Sequence, residues 1–530
     1  MKKKFLIYFI AGTIGLGVSS CEKYLDVNDP NPNSATYSTP ELILPQATVY
    51  VANNFVNLHG YGSRLMGYHV NAGGYGGWGN VFTYEYTTAD FGGFFSSGFD
   101  NILDLNYVIE NTEGDESYTL FNGTSRILRA FTYMHLVNEY NDIPYTEAAQ
   151  GKLFVTPKYD KAEDIYRDLA DQLDQAITIL KSNNLAKPLG AADVLFGGNI
   201  EQWIRFANTI KLKLYVFAHG KGVFSGAPSF SSEGFLTDDA IVNPGYQRLD
   251  GKQNPTWNTY HSTYTANAQV AFGRQWLPSR YAVSFYNGTK ISDTGRGKVT
   301  YRQFPNVPMN HLGNTPTPDN LPTIAGTLGA SPFYIGTPGA TSGAVNTIGT
   351  LKGSSMGQPI MLAAESYFLQ AEADVRNIIS ADHVALFEKG IEASFRYLYK
   401  DVDGKVDASL DPVADTEAYL EENPNSPLVN IALASTTEQQ IEAIVTQKYI
   451  AYNNIGGHIA WSDYRRTGYP RIIANGSPTE TFVSTRSMAT TVDMLPGRIL
   501  YPESEYTLNK ENAPTGISVN NSYVFWDRRK

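Results

Sequence analysis

The sequence predicts an all-α protein whose helices pack in pairs, with long irregular segments inserted between them. Two observations support this prediction. First, several stretches place apolar residues at helical spacing, most clearly the single stripe formed by Ile165, Leu169, Leu173, Ala176 and Leu180. Second, residues with capping side chains precede such stretches, and the turns between neighbouring stretches are short. Helix pairs joined by short turns indicate a solenoid-like array, although no fixed repeat length is evident.

The first twenty residues have the pattern of an export signal. Three lysines at positions 2–4 are followed by an apolar run from Phe5 to Val18, which is shorter than the roughly 20 residues that cross a bilayer. Cys21 is the only cysteine of the 530 residues, and two serines precede it. This arrangement resembles the bacterial lipobox, which implies that residues 1–20 are removed and that Cys21 carries acyl chains. The alternative is an ordinary secretory signal with an incidental cysteine.

Cys21 determines two further expectations. Two or more acyl chains hold a protein stably on a membrane, so no spanning helix is needed. Residues 22–40 are rich in Asn, Asp, Pro, Ser and Thr and show no periodicity, so residues 21–40 are predicted to form a flexible tether of at most about 65 Å. If Cys21 is lipidated, the folded part contains no thiol for disulfides, catalysis or metal binding.

Helices are predicted at intervals over the rest of the chain. The predicted ranges are 41–58, 99–110, 124–141, 160–180, 199–214, 359–377, 382–399 and 437–453. The predicted capping residues are Thr124 or Ser125, Asp160 with Glu163, Asn199 with Gln202, and Thr437 with Gln440.

Two segments lack the helical pattern. Residues 60–99 hold eleven glycines, eleven aromatic residues and only three charges, which predicts a loop that carries exposed rings. Residues 220–358 are predicted to be a loop-rich insertion. Between 305 and 357 the only charges are Asp319 and Lys352, and because disordered segments are usually highly charged, ordered loops are expected. Residues 41–530 are predicted to form a single domain.

The composition limits the class of partner. The formal charge is −11, and an acidic surface argues against nucleic acid, which requires clustered Lys and Arg. The chain contains 35 Tyr, 26 Phe and 6 Trp, and Tyr and Trp combine an apolar face with a polar tip. Such rings suit contacts with sugars, peptides or other proteins, although many of them must also form the core.

Sequence motifs for catalysis or cofactors are weak. The G-x-G-x-x-G pattern at 74–79 lacks the preceding strand and following helix of a dinucleotide site. The G-x-S-x-G pattern at 353–357 lacks the buried strand of a nucleophile elbow. The histidines show no zinc spacing, and no feature selects a pair of carboxylates for glycoside hydrolysis. We therefore predict no catalytic residue, no cofactor and no metal.

Candidate ligand-binding residues are chosen for ring chemistry on flexible backbone. In the glycine-rich segment they are Arg64, Tyr75, Trp78 and Tyr84. In the insertion they are Trp257, Trp276 and Tyr281. Their rings can lie against the C–H face of a sugar or hold a peptide side chain. The alternative for each ring is that it packs the loops onto the helical body.

Ordered blocks along the chain resemble the SusD/RagB family of outer-membrane lipoproteins of the Bacteroidetes. Arg465-Arg466-Thr467-Gly468-Tyr469-Pro470 resembles the second sub-branch, although the specificity lies in the ordered set of blocks and not in any single one. The other matching blocks are residues 126–133, 140–145, 157–166, 193–211, 364–373, 390–394, 447–449, 498–505 and 526–527. Asn141 departs from the pattern, because many members carry glycine there, and a changed turn is expected.

The resemblance implies a SusD-like body of about four tetratricopeptide-like helix pairs with irregular insertions, and it implies no catalysis. It also implies a partner, a SusC-like TonB-dependent β-barrel transporter, over which the lipoprotein acts as a lid at the outer face of the outer membrane. The matched residues Arg126, Arg129, Glu365, Trp461 and Arg465 are interpreted as structural. Ligand residues lie in variable loops in this family, so none is assigned by motif.

The predicted function is capture of a nutrient, with an oligosaccharide as the leading ligand class, and its transfer to the transporter. An oligopeptide ligand is the alternative within the same family. A surface glycoside hydrolase and a scaffold lipoprotein that binds no nutrient are the alternatives from other classes.

Overall fold

The computed structural model describes residues 38–72, 75–151, 153–182, 184–265, 270–314 and 347–530. The described chain is mostly helical, which confirms the all-α prediction. Its helices are α1 (Pro40–Leu65), α2 (Asn80–Thr83), α3 (Gly92–Thr112), α4 (Thr119–Tyr140), α5 (Ala162–Lys181), α6 (Ile200–Phe217), α7 (Pro255–Tyr260), α8 (Ala271–Arg274), α9 (Arg280–Val283), α10 (Thr294–Thr300), α11 (Ala363–Val375), α12 (His383–Tyr399), α13 (Pro412–Glu422), α14 (Thr437–Ala451), α15 (Gly457–Thr467) and α16 (Glu503–Leu508). The predicted signal, Cys21 and residues 22–37 of the tether lie outside the described residues.

In the part of the chain that the structure describes, six short strands tie the irregular segments to the helices. They are β1 (Val70–Asn71), β2 (Ile143–Pro144), β3 (Tyr159–Asp160), β4 (Ala240–Val242), β5 (Trp276–Leu277) and β6 (Gln358–Met361). They form three antiparallel two-stranded pairs, β1 with β5, β2 with β3 and β4 with β6. Two of these pairs attach the insertion, because β4 and β5 belong to it while β1 follows α1.

The helical body is built from neighbouring helices in contact. Helix α3 packs on α4, α4 on α5, α5 on α6, and α11 on α12. Helix α14 packs on α11, and α1 packs on both α3 and α15. In α5 the predicted stripe is buried throughout, because Ile165, Leu169, Leu173, Ala176 and Leu180 all face the core.

A network of buried charges joins four of these helices. Glu365 of α11 forms ion pairs with Lys213 of α6 at 2.9 Å and with Lys448 of α14 at 3.1 Å. Lys448 also contacts Asp463 of α15 at 2.9 Å, and Arg466 pairs with the same carboxylate at 2.9 Å. The structural role predicted for Glu365 is therefore confirmed.

The other family-matched residues also have structural partners. Trp461 and Arg465 are fully buried, and Arg465 lies 3.3 Å from the carboxylate of Glu139. Arg126 pairs with Glu113 at 2.8 Å. Arg129 donates to the side-chain oxygen of Asn106 at 2.7 Å and lines a polar groove of about 620 Å³ between α3, α4 and α5.

The glycine-rich segment is shorter than predicted. Helix α1 continues to Leu65 and α3 begins at Gly92, so the described irregular part lies within 66–72 and 75–91, apart from strand β1 and the short helix α2. Two glycines of α1 explain the difference. A Cβ at Gly62 would lie 2.2 Å from the backbone nitrogen of His458, and one at Gly60 would lie 2.9 Å from the Tyr260 hydroxyl. These glycines allow close packing and do not loosen the helix.

The predicted caps are partly right. Asn199 accepts from the backbone nitrogen of Gln202 at 3.2 Å, which confirms that cap. The capping box of α14 is formed by Thr436 and Gln439, one residue before the predicted pair.

Two predicted caps are wrong. Thr124 and Ser125 lie inside α4, where Thr124 donates to the carbonyl of Leu120 at 2.8 Å. Asp160 does not cap α5. It accepts from the backbone nitrogens of Tyr145 and Thr146 at 3.0 and 2.9 Å, because the β2–β3 pairing brings that loop to its carboxylate.

The sequence pattern predicts a loop-rich insertion without helices at 220–358, and the structure differs from this prediction. The insertion's described residues form four short helices, α7 to α10, each too short to show a periodic stripe. Its residues 266–269 and 315–346 lie outside the described residues.

Polar side chains hold the turns at Asn141 and Asp401 through hydrogen bonds to backbone nitrogens. Asn141 adopts φ +66°, a backbone conformation that favours glycine, and its side-chain oxygen accepts from the backbone nitrogen of Phe525 at 2.6 Å. Asp401 accepts from the backbone nitrogens of Asp403 and Lys405, both at 2.9 Å, and closes a turn there.

The tether is shorter than predicted at its described end. The carbonyl of Ser38 accepts from the Tyr107 hydroxyl of α3 at 2.8 Å, and Pro40 already begins α1. Residues 38–40 therefore belong to the folded body. None of the helices in the described ranges combines the length and apolar character that crossing a bilayer requires.

Candidate functional site

Three chain segments meet at one group of aromatic rings, here called the Trp276 cluster. Its members are His69, Trp78, Phe82, Tyr260, Phe272 and Trp276. The β1–β5 pair creates the meeting point, because Asn71 lies opposite Trp276 and the backbone nitrogen of Ala72 donates to the carbonyl of Gln275 at 2.8 Å.

Trp276 is the buried centre of this cluster. Its ring is only 2% exposed. Trp78 packs edge-on against it with ring centroids 5.1 Å apart, and Phe272 does the same at 5.9 Å. His69 lies beneath, stacked on Trp276 at 5.8 Å. Such edge-to-face contacts fix the orientation of the outer rings.

The outer rings reach solvent. Trp78 is partly exposed, Phe272 is 37% exposed and Tyr75 is 36% exposed. The indole nitrogen of Trp78 donates to the carbonyl of Tyr75 at 3.0 Å, and its ring stacks on Phe82 at 5.5 Å. Trp78 is therefore held by a hydrogen bond and two ring contacts while part of its surface stays available to a ligand.

Arginines border the rings. The guanidinium carbon of Arg64, near the end of α1, lies 4.9 Å from the centroid of Trp276. That of Arg486 lies 5.3 Å from the centroid of Phe82. His69, which stacks on Trp276, is neutral. Burial lowers its pKa to about 4, and the charge of Arg64 acts in the same direction.

Four of the seven sequence-predicted residues lie together here. Arg64, Tyr75, Trp78 and Trp276 belong to the same surface, although they come from two segments about 200 residues apart. Trp276 contributes as the support of the outer rings and not as an exposed ring.

The prediction is wrong for the other three residues, because their side chains are buried elsewhere in the structure. Tyr84 is 1% exposed, and its hydroxyl accepts from the backbone nitrogen of Ser484 at 3.1 Å. Trp257 is fully buried and stacks on His261 at 3.9 Å. Tyr281 is also fully buried, and its hydroxyl donates to the carbonyl of Arg471 at 2.8 Å. In this structure none of the three presents a ring to a ligand.

Sequence reasoning missed Phe272. It lies four residues before Trp276 in the insertion, and the two rings come together across the turn from α8 to β5. The choice of Trp and Tyr for their polar tips excluded it. The available signal was that Phe272 is close in sequence to another aromatic residue, Trp276.

The site shows no metal-binding arrangement. Among the described residues, no three His, Cys, Asp or Glu side chains are placed to bind one metal ion. What the cluster offers is a ring surface for stacking, bordered by guanidinium groups.

Two family models match the chain. Residues 32–221 match a model described as "Starch-binding associating with outer membrane", and residues 346–522 match one described as "Susd and RagB outer membrane lipoprotein". Together they cover more than half of the sequence. The fold and these models define a class of helical binding proteins associated with the outer membrane. The chain belongs to the SusD/RagB family.

Solved structures show the same fold. A SusD homologue from Bacteroides fragilis aligns with TM-score 0.66 at 21% identity, covering 92% of this chain and 99% of the other. A SusD homologue from Bacteroides uniformis aligns with TM-score 0.63 at 23% identity, covering 92% and 99%. A chitin-binding SusD homologue from Flavobacterium johnsoniae aligns with TM-score 0.60 at 20% identity, covering 91% and 98%. No curated protein matches the sequence.

Proposed function

We propose that this protein captures an oligosaccharide on the Trp276 cluster and transfers it to a SusC-like TonB-dependent β-barrel transporter. The observation that carries the proposal is the partly exposed Trp78, held against the buried Trp276 at 5.1 Å. A ring that is held rigidly loses little conformational freedom on binding, so its contact with the C–H face of a sugar contributes to affinity. The chitin-binding relative supports a glycan as the ligand class.

We further propose that acyl chains on Cys21 hold the protein on the outer membrane, on its cell-surface side. The support is the lipobox-like sequence before Cys21 and the family description of outer-membrane lipoproteins. Treatment of whole cells with a protease tests the location. Digestion of the chain is expected, whereas protection would place it on the periplasmic side.

The Trp78→Ala variant tests the binding surface. Affinity for the glycan is expected to fall about tenfold, which corresponds to about 1.4 kcal/mol, because the stacking ring is lost. Stability is expected to change little, because Trp78 is partly exposed. Titration calorimetry with a glycan that the wild type binds, together with thermal unfolding of both proteins, measures the two effects.

Tyr50→Ala is the matched control for Trp78→Ala. Tyr50 is 38% exposed on α1 and is not part of the Trp276 cluster, so its loss should leave glycan affinity unchanged. Equal affinity of the wild type and Trp78→Ala would contradict the proposed surface.

Purification of the native complex from membranes tests the transporter as partner. Mass spectrometry is expected to find a SusC-like barrel together with the chain and to identify any glycan that remains bound. Recovery of the chain alone would count against the lid mechanism. Incubation with polysaccharides should release no sugar, and released sugar would instead indicate a glycoside hydrolase.

A further inference from the structure

Arg64 is a partly buried cation without an acidic partner. Its Nε atom is buried and makes no hydrogen bond, and none of the ion pairs formed by the described residues includes its guanidinium. The Arg64 side chain as a whole is partly exposed. Its guanidinium carbon lies 4.9 Å from the centroid of Trp276, and its charge adds to burial in lowering the pKa of His59 and His69.

Most of the deeply buried arginines in the described ranges have an acidic partner, and the exception, Arg498, donates to the backbone carbonyls of Tyr140 and Ile499. Arg296 pairs with Asp293 at 2.6 Å, Arg466 pairs with Asp463 at 2.9 Å, and Arg529 pairs with Asp493 at 2.9 Å. Removing a charge from water is costly unless a partner compensates for it. The contact of Arg64 with Trp276 is a cation–π contact, which does not neutralise the charge as a carboxylate would. Arg64 therefore keeps an uncompensated positive charge next to the exposed rings.

Arg274 repeats this pattern on the insertion. It ends helix α8, two residues before Trp276, and its Nε atom is likewise buried without a hydrogen bond. It also forms no ion pair within the described ranges. Two arginines without acidic partners thus belong to the segments that build one aromatic surface.

The positive charge of Arg64 and Arg274 is confined to this surface. The whole chain has a formal charge of −11, so there is no general positive field that would attract anions to its surface. An anion would have to be recognised by a specific group. A guanidinium is suited to this, because its planar donors match the two oxygens of a carboxylate.

We propose that the captured oligosaccharide is acidic, with a uronic acid carboxylate bound by Arg64 while a neighbouring sugar ring lies on Trp78. This inference rests on the proposed function, because it assigns the ligand class of the same surface. The aromatic rings supply contact area that any sugar can use. Arg64 supplies the discrimination between an acidic sugar and a neutral one.

The test compares ligands that differ in charge. The purified full-length protein is titrated with polygalacturonate, alginate and chondroitin sulfate, and with methyl-esterified polygalacturonate and chitin oligosaccharides as neutral counterparts. At least tenfold tighter binding of a carboxylated glycan than of the neutral glycans is expected at low salt. The preference should shrink as salt is added, since charge attraction is screened.

The variants assign the preference to Arg64. Arg64→Gln is expected to abolish the preference for carboxylated glycans, and Arg64→Lys should retain part of it. Arg471→Gln is the control, because Arg471 is an exposed arginine that pairs with Glu442 away from the cluster. An unchanged preference in Arg64→Gln would overturn the inference.

The remaining outcomes separate this inference from the proposed function. Equal binding of acidic and neutral glycans, weakened alike by Trp78→Ala, would overturn the acidic class and keep glycan capture. A preference for chondroitin sulfate that persists after its carboxylates are reduced would assign sulfate in place of uronate. Binding of polyglutamate with no binding of any glycan would overturn both proposals.

Discussion

Glu365→Ala is expected to lower the free energy of unfolding by about 3–5 kcal/mol, because it removes one partner of a buried ion pair and leaves the other uncompensated. Glu365 is fully buried between Lys213 and Lys448, at 2.9 and 3.1 Å. Its second oxygen accepts from the hydroxyl of Tyr452 at 2.5 Å. Without this carboxylate, Lys213 would lose its ion-pair partner inside the helical body, whereas Lys448 would keep Asp463 at 2.9 Å.

Chemical denaturation measures the effect. Glu417→Ala on α13 is the matched control, since Glu417 is exposed and forms no ion pair among the described residues, and its loss should change stability by less than about 0.5 kcal/mol. Similar unfolding midpoints for Glu365→Ala and Glu417→Ala would contradict the importance of the buried network.

The same network predicts how stability depends on pH. Burial raises the pKa of Glu365, but the ammonium groups of Lys213 and Lys448 outweigh burial and hold the pKa at about 2. Glu372 is likewise held at a pKa of about 2 by Arg466 and Arg376 against the effect of burial. Because these folded-state pKa values lie below the unfolded value of 4.5, the unfolded chain takes up protons first as the pH falls.

The stability from Glu365 and Glu372 is therefore complete above about pH 4.5 and is lost progressively as the pH falls toward 2. Thermal unfolding between pH 7 and pH 3 measures this loss. The decline should be smaller in Glu365→Gln, because that side chain does not titrate. A decline equal to that of the wild type would assign the acid sensitivity to other groups.

Gly62→Ala is expected to destabilise the protein by about 3 kcal/mol or more, because helices α1 and α15 cross at glycines. A Cβ at Gly62 would lie 2.2 Å from the backbone nitrogen of His458 and 2.3 Å from the carbonyl carbon of Gly457. Both obstacles are backbone atoms, which cannot rotate away as a side chain can. The helices would have to separate, and buried contacts such as that of Phe55 with His458 would be lost.

Gly93→Ala provides the matched control. Gly93 also lies in a helix, and a Cβ there would meet no atom within 4 Å. Alanine is favoured over glycine in a helix by about 0.5–1 kcal/mol, so this variant should be slightly more stable than the wild type. Unfolding by guanidinium of both variants measures the contrast, and a mild effect at Gly62 would show that the crossing can relax.

Much of the helical body was predictable because its signals are local. The stripe on α5 and the cap at Asn199 depend only on residues a few positions apart, and the structure confirms them. The cap predicted at Asp160 was wrong for the complementary reason. Its carboxylate is engaged by backbone groups of Tyr145 and Thr146, which the β2–β3 pairing brings near.

The candidate surface was predictable only in part. Composition indicated the two aromatic segments, and four of the seven chosen residues lie on the same surface. It could not separate Trp276 from Trp257 or Tyr281, since all three are aromatic residues of one loop-rich insertion. It also gave no reason to expect that Arg64 would lack an acidic partner.

By itself, the sequence determined the helical class, the positions of most long helices and the family. Periodic stripes, caps and ordered blocks each depend on residues that are close together in the sequence. Only the tertiary structure decided which rings face solvent and which charges are paired. The physical reason is that burial depends on segments far apart in the chain. Asn71 lies opposite Trp276, and Gly62 lies against Gly457, through contacts that no local pattern encodes.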